Sequence, residues 1–308
     1  MGLGLDAGGT RTRWALAAAN GVVVGQGEAE AFSALQMADP AGRAAIAAVL
    51  SHIAGESRRD ARIEQLCAGV TGFDPENGTA LAGGLEGLMA TAFALPAARI
   101  ELRSDIELAC RCAFEPGAGC VLYAGTGSII GFVDATGSFH RAGGRGVLLD
   151  DAGGGHWIAL QALRAVWRAE DARPGSLRES VLGRALCTRI GSDSWAGHRE
   201  RIHAMSRGQI GLLALAVAEA APDDESARGI LRAAGIELAR LAQAMAARFG
   251  PQPIALAGRV FDLSPLVEQA LRAALPPETA LHRIEFAAHE AAARRAANTA
   301  AHTINATQ

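Results

Sequence analysis

The sequence of 308 residues contains no lysine, so all 29 of its basic residues are arginine. Three classes of enzyme depend on a lysine amine: those with a Walker A phosphate loop, the protein kinases, and those that bind pyridoxal phosphate as a Schiff base. The absence of lysine excludes all three. If the chain binds nucleotide phosphates, backbone amides and hydroxyl groups must hold them.

Cysteine is scarce as well. The five cysteines are odd in number and no two are spaced as Cys-x-x-Cys. This argues against a disulfide framework, a zinc ribbon and an iron–sulfur site.

Long apolar runs and a basic charge surplus are also missing. No 18 consecutive residues are apolar, and the first residues resemble neither a secretory nor a transit peptide. The net charge is −3, with 50% apolar and 20% charged residues. We therefore expect a globular protein of the cytoplasm with neither nucleic acid nor a membrane as partner. At roughly 150 residues per domain, the length predicts two domains.

One pattern occurs twice along the chain. Residues 2–28 are typical of a β-meander, with a glycine-rich turn after the first strand. Residues 115–119 contain proline and glycine, which interrupt regular structure. The same order of strand, glycine turn and strand then occurs again at 120–137. A repeat of about 117 residues is too long for a solenoid. It predicts two similar α/β domains facing each other across a cleft, which we place at residues 1–116 and 117–287.

Helices and strands are expected to alternate between and after these meanders. The apolar spacing predicts helices at 40–55, 79–95, 105–114, 262–274 and 287–304, and strands at 65–70, 100–103 and 254–257. Residues 155–248 are expected to be mostly helical, with breaks at 173–175, 191–192 and 222–224. Ser104 is a candidate cap for the helix at 105, and Asp262 for the helix at 262. The last helix, within 288–308, could pack back on the first domain.

The first glycine turn carries groups suited to a triphosphate. They are Asp6, Gly8, Gly9, Thr10 and Thr12. Glycine amides can converge into an anion-binding nest, hydroxyls add neutral donors, and Asp6 could hold Mg²⁺ through water. The alternative is a plain hairpin turn.

The second glycine turn consists of Gly125, Thr126, Gly127 and Ser128. Taken alone it is unspecific. A dinucleotide fingerprint is disfavoured because Gly131 comes one residue late and the strand continues. No G-x-S-x-G nucleophile elbow is present.

Three further segments make a resemblance specific. They begin at Ser104 (SDIELA), Gly143 (GGRGVLLDDAGGGHWIA) and Leu256 (LAGRVF). In this order they resemble the superfamily of sugar kinases, heat-shock ATPases and actin, and within it the N-acetylglucosamine kinase group, which shares a sequence family with the BadF/BcrA-type ATPases. The resemblance implies two actin-like, ribonuclease H-like domains, each with a mixed sheet that begins with a β-meander and is flanked by helices.

The resemblance also implies ATP- and Mg²⁺-dependent phosphoryl transfer to a hexosamine by a homodimer. The two glycine turns match the family's phosphate motifs, and Gly258 lies in its adenosine motif. Asp105 matches the catalytic aspartate. The residues that match or adjoin the sugar site are Thr71, Asp105, Thr126, Gly144 and Asp151.

The chemistry of the two aspartates supports this interpretation. An attacking hydroxyl needs a carboxylate within about 3 Å to accept its proton, and an aspartate between a strand and a helix, such as Asp105, is suited to that task. The alternatives are an ordinary helix-capping aspartate for Asp105 and a solvated turn pair for Asp150 and Asp151.

The sequence departs from the family pattern at several positions. In the long signature they are Arg145, Asp150, Ala152 and Gly154, where the family has Trp, Gly, Glu and Ser, and in the adenosine motif Arg259 replaces a glycine. Without the carboxylate at 152 the substrate could be glucosamine, and Arg145 could accommodate an acidic sugar such as N-acetylmuramic acid. Ser33 and Gln36 are possible substitutes for an asparagine of the family's sugar loop.

We therefore predict a kinase that phosphorylates the 6-hydroxyl of N-acetylglucosamine or glucosamine, with Asp105 as general base. Two alternatives remain. One is an ATPase that activates a dehydratase or reductase through an iron–sulfur cluster, and the other is a sugar or nucleotide sensor without turnover.

Overall fold

A computed structural model describes residues 1–9, 11–57, 62–74, 79–284 and 287–305. It divides into two compact units, Met1–Glu115 with Phe286–Gln308, and Pro116–Glu285.

The first unit contains five strands and four helices, besides two short 3₁₀ turns at Ala34–Ala38 and Ala97–Arg99. In chain order its elements are β1 (Gly2–Ala7), β2 (Thr12–Ala17), β3 (Val23–Ala29), α1 (Pro40–Ser57), β4 (Gln65–Val70), α2 (Thr79–Phe93), β5 (Ile100–Ser104) and α3 (Asp105–Ala113). The C-terminal helix, introduced below, completes it.

The second unit is richer in helices. Its elements are β6 (Cys120–Ala124), β7 (Ser128–Val133), β8 (Phe139–Gly143), α4 (Gly155–Ala172), α5 (Ser176–Glu179), α6 (Val181–Ile190), α7 (Trp195–Ala204), α8 (Arg207–Leu212), α9 (Ala214–Ala220), α10 (Glu225–Phe249), β9 (Ile254–Ala257), α11 (Val260–Leu263), α12 (Pro265–Ala273) and β10 (Leu281–Arg283). The chain then returns to the first unit as α13 (Ala288–Asn305).

The two sheets have the same topology. The first has the order β3-β2-β1-β4-β5 and the second the corresponding order β10-β9-β6-β7-β8. In each, three antiparallel strands are followed by two strands parallel to the first one. The predicted fold class, with a mixed sheet that begins with a meander in each domain, is confirmed.

The alternation of side chains along β1 gives the first sheet two different faces. Leu3 and Leu5 are fully buried in a core that includes Ile46 and Leu50 of α1. The intervening glycines face the other way, against α13. A Cβ at Gly4 would lie 2.1 Å from the backbone oxygen of His289. Glycine is therefore required there because the helix backbone occupies the space of a side chain.

An ion pair adds to this docking of α13. Arg295 donates to both carboxylate oxygens of Glu101 on β5, at 2.9 and 3.1 Å. The guanidinium lowers the pKa of Glu101 against the opposing effect of burial. The C-terminal helix therefore packs against strands that come from the N-terminal third of the chain.

The structure corrects one predicted boundary and adds two strands. The helix expected at 262–274 begins instead at Pro265, because Ser264 has extended backbone and its side chain accepts from the amide of Leu266. Asp262 does not cap that helix but pairs with Arg283. Strands β8 and β10 were not predicted, since neither has a clear apolar alternation. Ser104 caps α3 as expected, accepting from the amide of Glu107.

The tight contact at Gly4 provides a first test. We expect Gly4→Ala to lower the free energy of unfolding by roughly 3 kcal/mol or more, because α13 must move away from β1. Gly87→Ala is the control, because Gly87 lies in α2 with open space around it. Alanine there should raise the free energy of unfolding by about 0.5–1 kcal/mol through its higher helix propensity. Urea unfolding followed by circular dichroism measures both. Equal midpoints for the two variants would contradict the packing described here.

Candidate active site

The carboxyl ends of three parallel strands bring together polar residues in the first unit. Asp6 is near the end of β1, Thr71 directly follows β4, and Asp105 directly follows β5. The register places Asp6 opposite Gly69, and Gly69 opposite Arg103. Strand ends at such an edge are where α/β proteins bind ligands.

Gly69 lets α3 approach the sheet. A Cβ at this position would lie 3.2 Å from the Cα of Asp105 and 2.8 Å from a methyl group of Leu108. The missing side chain at Gly69 thus leaves room for the first turn of α3 to lie close to the sheet.

Asp105 is held by hydrogen bonds to two neighbouring residues. Its Oδ1 accepts from the amide of Ile106 at 2.8 Å, and its carboxylate also bonds to the side chain of Thr71. The cap of α3 is Ser104, so Asp105 is the first helical residue. The alternative prediction of an ordinary capping aspartate is thereby removed. Burial raises the pKa of Asp105, although these hydrogen bonds oppose the shift.

Asp6 is the second carboxylate of this edge. Its pKa is raised to about 6, first by burial and then by the charge of Asp105, while Arg13 opposes the shift. Arg13 lies directly opposite Asp6 in the β1–β2 ladder. Two half-buried carboxylates that repel each other favour a bound cation or a shared proton.

The other residues of the first hairpin are placed differently. The amide of Gly8 donates to the carbonyl oxygen of Arg11 at 3.1 Å, and nothing lies within 4 Å of where a Cβ on Gly9 would be. Thr12 is fully buried, and its hydroxyl has no hydrogen-bond partner among the described residues. Thr10 lies outside the described residues. Phosphate binding by these residues stays a prediction, and in this conformation the hydroxyl of Thr12 is covered.

The segment before α1 contacts the same edge. The hydroxyl of Ser33 donates to the carbonyl oxygen of Thr71 at 3.1 Å, and Ser33 forms a capping box with Gln36. Ser33 and Gln36, the two possible substitutes in the sugar loop, are therefore committed to local structure that holds the loop beside Thr71.

In the second unit, the Gly125–Ser128 turn is bound to the start of α4. The amides of Gly155 and His156 donate to the carbonyl oxygens of Gly125 and Thr126, at 2.8 and 3.0 Å. The hydroxyl of Ser128 donates to the carbonyl oxygen of Ala152 at 2.7 Å, and Ser128 is buried. Backbone groups and Thr126 are thus the parts of this turn that remain for a ligand, and the predicted role of Ser128 stays untested.

Asp151 packs against this turn. A Cβ at Gly127 would lie 2.3 Å from Oδ2 of Asp151, and Oδ1 accepts from the amide of Gly146 at 3.1 Å. Asp151 is buried and has a left-handed backbone with φ of 58°. Such a conformation is rare for a residue other than glycine and is concentrated at functional sites.

The electrostatic surroundings of Asp151 differ from those of a solvated pair. Burial raises its pKa, whereas the amide of Gly146 and the charge of Arg207 lower it. Arg240 instead donates to both carboxylate oxygens of Asp150, at 3.1 and 3.2 Å. The alternative of a solvated turn pair therefore does not apply to Asp151, which is buried.

The two remaining predicted glycines are both required by close approach. Gly144 has φ of 63°, and a Cβ there would lie 2.5 Å from Cδ1 of Ile129. Gly258 has φ of 98°, and a Cβ there would lie 2.3 Å from the carbonyl oxygen of Ala124. The latter contact holds the turn after β9 against the end of β6. The sequence analysis did not single out Arg207, because no motif marks it and only the packing of α8 on α4 brings it to Asp151, nor His156, although it lies within the signature that begins at Gly143.

These arrangements can be compared with known proteins. Residues 3–285 match the model of the BadF/BadG/BcrA/BcrD ATPase family. The chain belongs to this family. The resemblance stated from the sequence is thereby confirmed, and membership implies ATP binding. No curated protein sequence matches the chain.

Solved structures show the same fold. A protein from Chromobacterium violaceum described as a candidate N-acetylglucosamine kinase is 26% identical, with 97% of both chains covered and a TM-score of 0.70. A counterpart from Porphyromonas gingivalis is 17% identical, covers 97% of this chain and 99% of its own, and has a TM-score of 0.77. A ROK family glucokinase from Streptomyces griseus, solved with glucose and AMPPNP, is 17% identical, with 98% and 99% coverage and a TM-score of 0.62. The fold is that of the sugar kinases.

Within the described residues, no three or more His, Cys, Asp or Glu side chains form a group suited to a metal ion. No described helix combines the length and apolar character needed to cross a membrane.

The raised pKa of Asp6 gives a second test. Its folded-state pKa of about 6 exceeds the ordinary 3.8. Ionisation of Asp6 therefore lowers the free energy of unfolding. The loss is complete above about pH 6 and absent below about pH 4. We expect Asp6→Asn to raise the free energy of unfolding at pH 7 by about 1–2 kcal/mol, after allowance for solvent screening. At pH 3.5 this gain should vanish.

Chemical denaturation at the two pH values measures this difference. Asp171→Asn, an exposed aspartate on α4, is the control and should change little at either pH. A destabilised Asp6→Asn at pH 7 would show that the carboxylate is well solvated or already paired.

Proposed function

We propose that the chain is an ATP-dependent kinase that phosphorylates the 6-hydroxyl of an amino sugar, N-acetylglucosamine or glucosamine. The observation that carries this proposal is Asp105, a carboxylate with a raised pKa held at the carboxyl ends of parallel strands beside Asp6 and Thr71. Support for an amino sugar comes from the Chromobacterium violaceum protein, which is 26% identical along nearly its whole length.

In this mechanism Asp105 is the general base. The sugar hydroxyl oxygen forms a bond to the γ-phosphorus, the bond between the γ-phosphorus and the bridging oxygen breaks, and ADP leaves. The hydroxyl proton passes to Asp105. The amide of Ile106 and the Thr71 side chain fix the orientation of the carboxylate. A raised pKa brings the base closer to working pH and makes it a better proton acceptor.

Mg²⁺ fits the residues at this edge, because Asp6 and Asp105 are hard oxygen donors whose charges repel each other. Asp6 would hold the ion through water, and the bound ion would neutralise phosphate charge. Since Mg²⁺ keeps several waters and also binds substrate phosphates, no cluster of three protein ligands is required.

The second unit contains its own candidate ligand contacts. Backbone amides of the turn at Gly125–Gly127, with Thr126, would bind phosphate oxygens, while Gly258 would lie at the adenosine. Asp151 would accept hydrogen bonds from sugar hydroxyls, as its fixed position beside Gly127 permits. A homodimer in the cytoplasm is part of this proposal, and light scattering after size-exclusion chromatography tests the dimer.

The proposed base is tested by Asp105→Asn, which keeps the side-chain shape. We expect its kcat with the preferred sugar to fall by about 10²–10⁴-fold, with the KM for ATP changed less than about threefold. Coupled ADP release with Mg²⁺-ATP is measured against glucosamine, N-acetylglucosamine, N-acetylmannosamine, N-acetylmuramic acid and glucose. Asp171→Asn is the control and should match the parent. A variant that turns over sugar at the parental rate would show that Asp105 is not the base.

A second candidate function follows from the family itself, which is named for ATPases. An activator with an iron–sulfur cluster needs cysteine thiolates. All five cysteines lie on helices or strands, and none is exposed. Burial raises the pKa of Cys112 to about 11 and that of Cys120 to about 12, which disfavours the thiolate. Sugar-independent ATP hydrolysis by an iron-containing protein would favour this function over the kinase.

A further inference from the structure

Helix α8 lies against the Gly125–Ser128 turn. A Cβ at Gly211 would be 3.4 Å from Cγ2 of Thr126 and 3.5 Å from the amide nitrogen of His156. From the other side, a Cβ at Gly155 would be 3.2 Å from the carbonyl oxygen of Gly211. The absence of side chains at Gly155 and Gly211 brings α8 into direct contact with the turn and with the start of α4.

Arg207 is on the face of α8 that makes this contact. It precedes Gly211 by four residues, and residues four apart lie on the same side of a helix. Its charge acts on both Asp151 and His156. The start of α8 is fixed by a capping box, in which Ser206 and Gln209 bond to each other's backbone. Arg207 therefore extends from a defined position toward the surroundings of Asp151.

The charges around Asp151 and His156, taken together, leave a positive surplus. Asp150 is neutralised by Arg240. The pKa of His156 is lowered by burial and by the nearby Arg207 and Arg164, so this histidine is neutral at pH 7. Arg207 acts on both Asp151 and His156, whereas Arg164 acts on His156. Arg164 and Arg207 are both exposed, and neither has a hydrogen bond or ion pair within the described part of the chain.

We propose that Arg207 binds the γ-phosphoryl group of ATP held at the Gly125–Ser128 turn. This inference rests on the proposed kinase function. A guanidinium can donate two parallel hydrogen bonds to phosphate oxygens, and its charge is not lost at any working pH. In a chain without lysine, Arg207 supplies the cation that offsets the charge of the transferred group. Arg207 stays protonated throughout the phosphoryl transfer.

The proposal makes a distinction between nucleotides that does not depend on sugar turnover. AMPPNP carries the third phosphate group and ADP does not. We expect Arg207→Gln to weaken binding of Mg²⁺-AMPPNP by about 10–50-fold, the range of one lost charged hydrogen-bonding partner, and to change Mg²⁺-ADP binding less than about threefold. Isothermal titration calorimetry on the full chain measures both affinities.

Two further variants complete the experiment. Arg207→Lys keeps the charge but loses the bidentate geometry, so we expect it to recover part of the AMPPNP affinity. Arg199→Gln, an exposed arginine on α7, is the control and should match the parent. If the parent phosphorylates a sugar, kcat of Arg207→Gln should fall by about 10²-fold or more with little change in the KM for sugar.

Three results would overturn the proposal. Equal weakening of ADP and AMPPNP would place Arg207 at another phosphate group, and unchanged affinity for both would remove it from the nucleotide site. A raised KM for an acidic sugar with unchanged nucleotide binding would assign Arg207 to the sugar carboxylate. If the parent turns over no sugar, the kinase proposal fails, but the ratio of the two nucleotide affinities still decides the role of Arg207.

Discussion

The close approach of α3 to the first sheet at Gly69 is the contact on which the candidate site depends. It brings Asp105 near enough to Asp6 for one charge to raise the pKa of the other. Such an arrangement costs folding free energy, because two carboxylates lose hydration and repel each other. The surrounding sheet and the docked α13 offset that cost. A site that is electrostatically unfavourable without a ligand is a common feature of enzymes, since groups with shifted pKa values cluster where chemistry occurs.

The two units use the same device for their main carboxylates. Asp105 lies against Gly69 in the first unit, and Asp151 lies against Gly127 in the second. In each case the glycine leaves the space that the carboxylate or its backbone occupies. The strand order is also the same in both sheets. The duplicated topology thus provides two similar edges, and the residues placed there make one suited to a base and the other to phosphate and hydroxyl groups.

Much of this organisation could be predicted from the sequence because it depends on local patterns. The two glycine turns between strands, the cap at Ser104 and the buried strands all follow from neighbouring residues. Strands β8 and β10 could not be predicted, since they are stabilised by pairing with β7 and β9 rather than by their own composition. The positive φ of Asp151 and the position of Arg207 also depend on contacts between distant segments. Nothing in the sequence around Arg207 distinguishes it from the other 28 arginines.

The candidate residues of the two units differ in charge. In the first unit, burial raises the pKa of both Asp6 and Asp105, and the charge of Asp105 raises that of Asp6 further. In the second, Arg207 acts on both Asp151 and His156, and Arg164 acts on His156 as well. A divalent cation would relieve the repulsion in the first unit, and a polyanion such as the phosphate chain of ATP would offset the positive charge in the second. A neutral sugar could do neither, and we therefore expect the nucleotide, rather than the sugar, to provide most of the electrostatic stabilisation of the bound state.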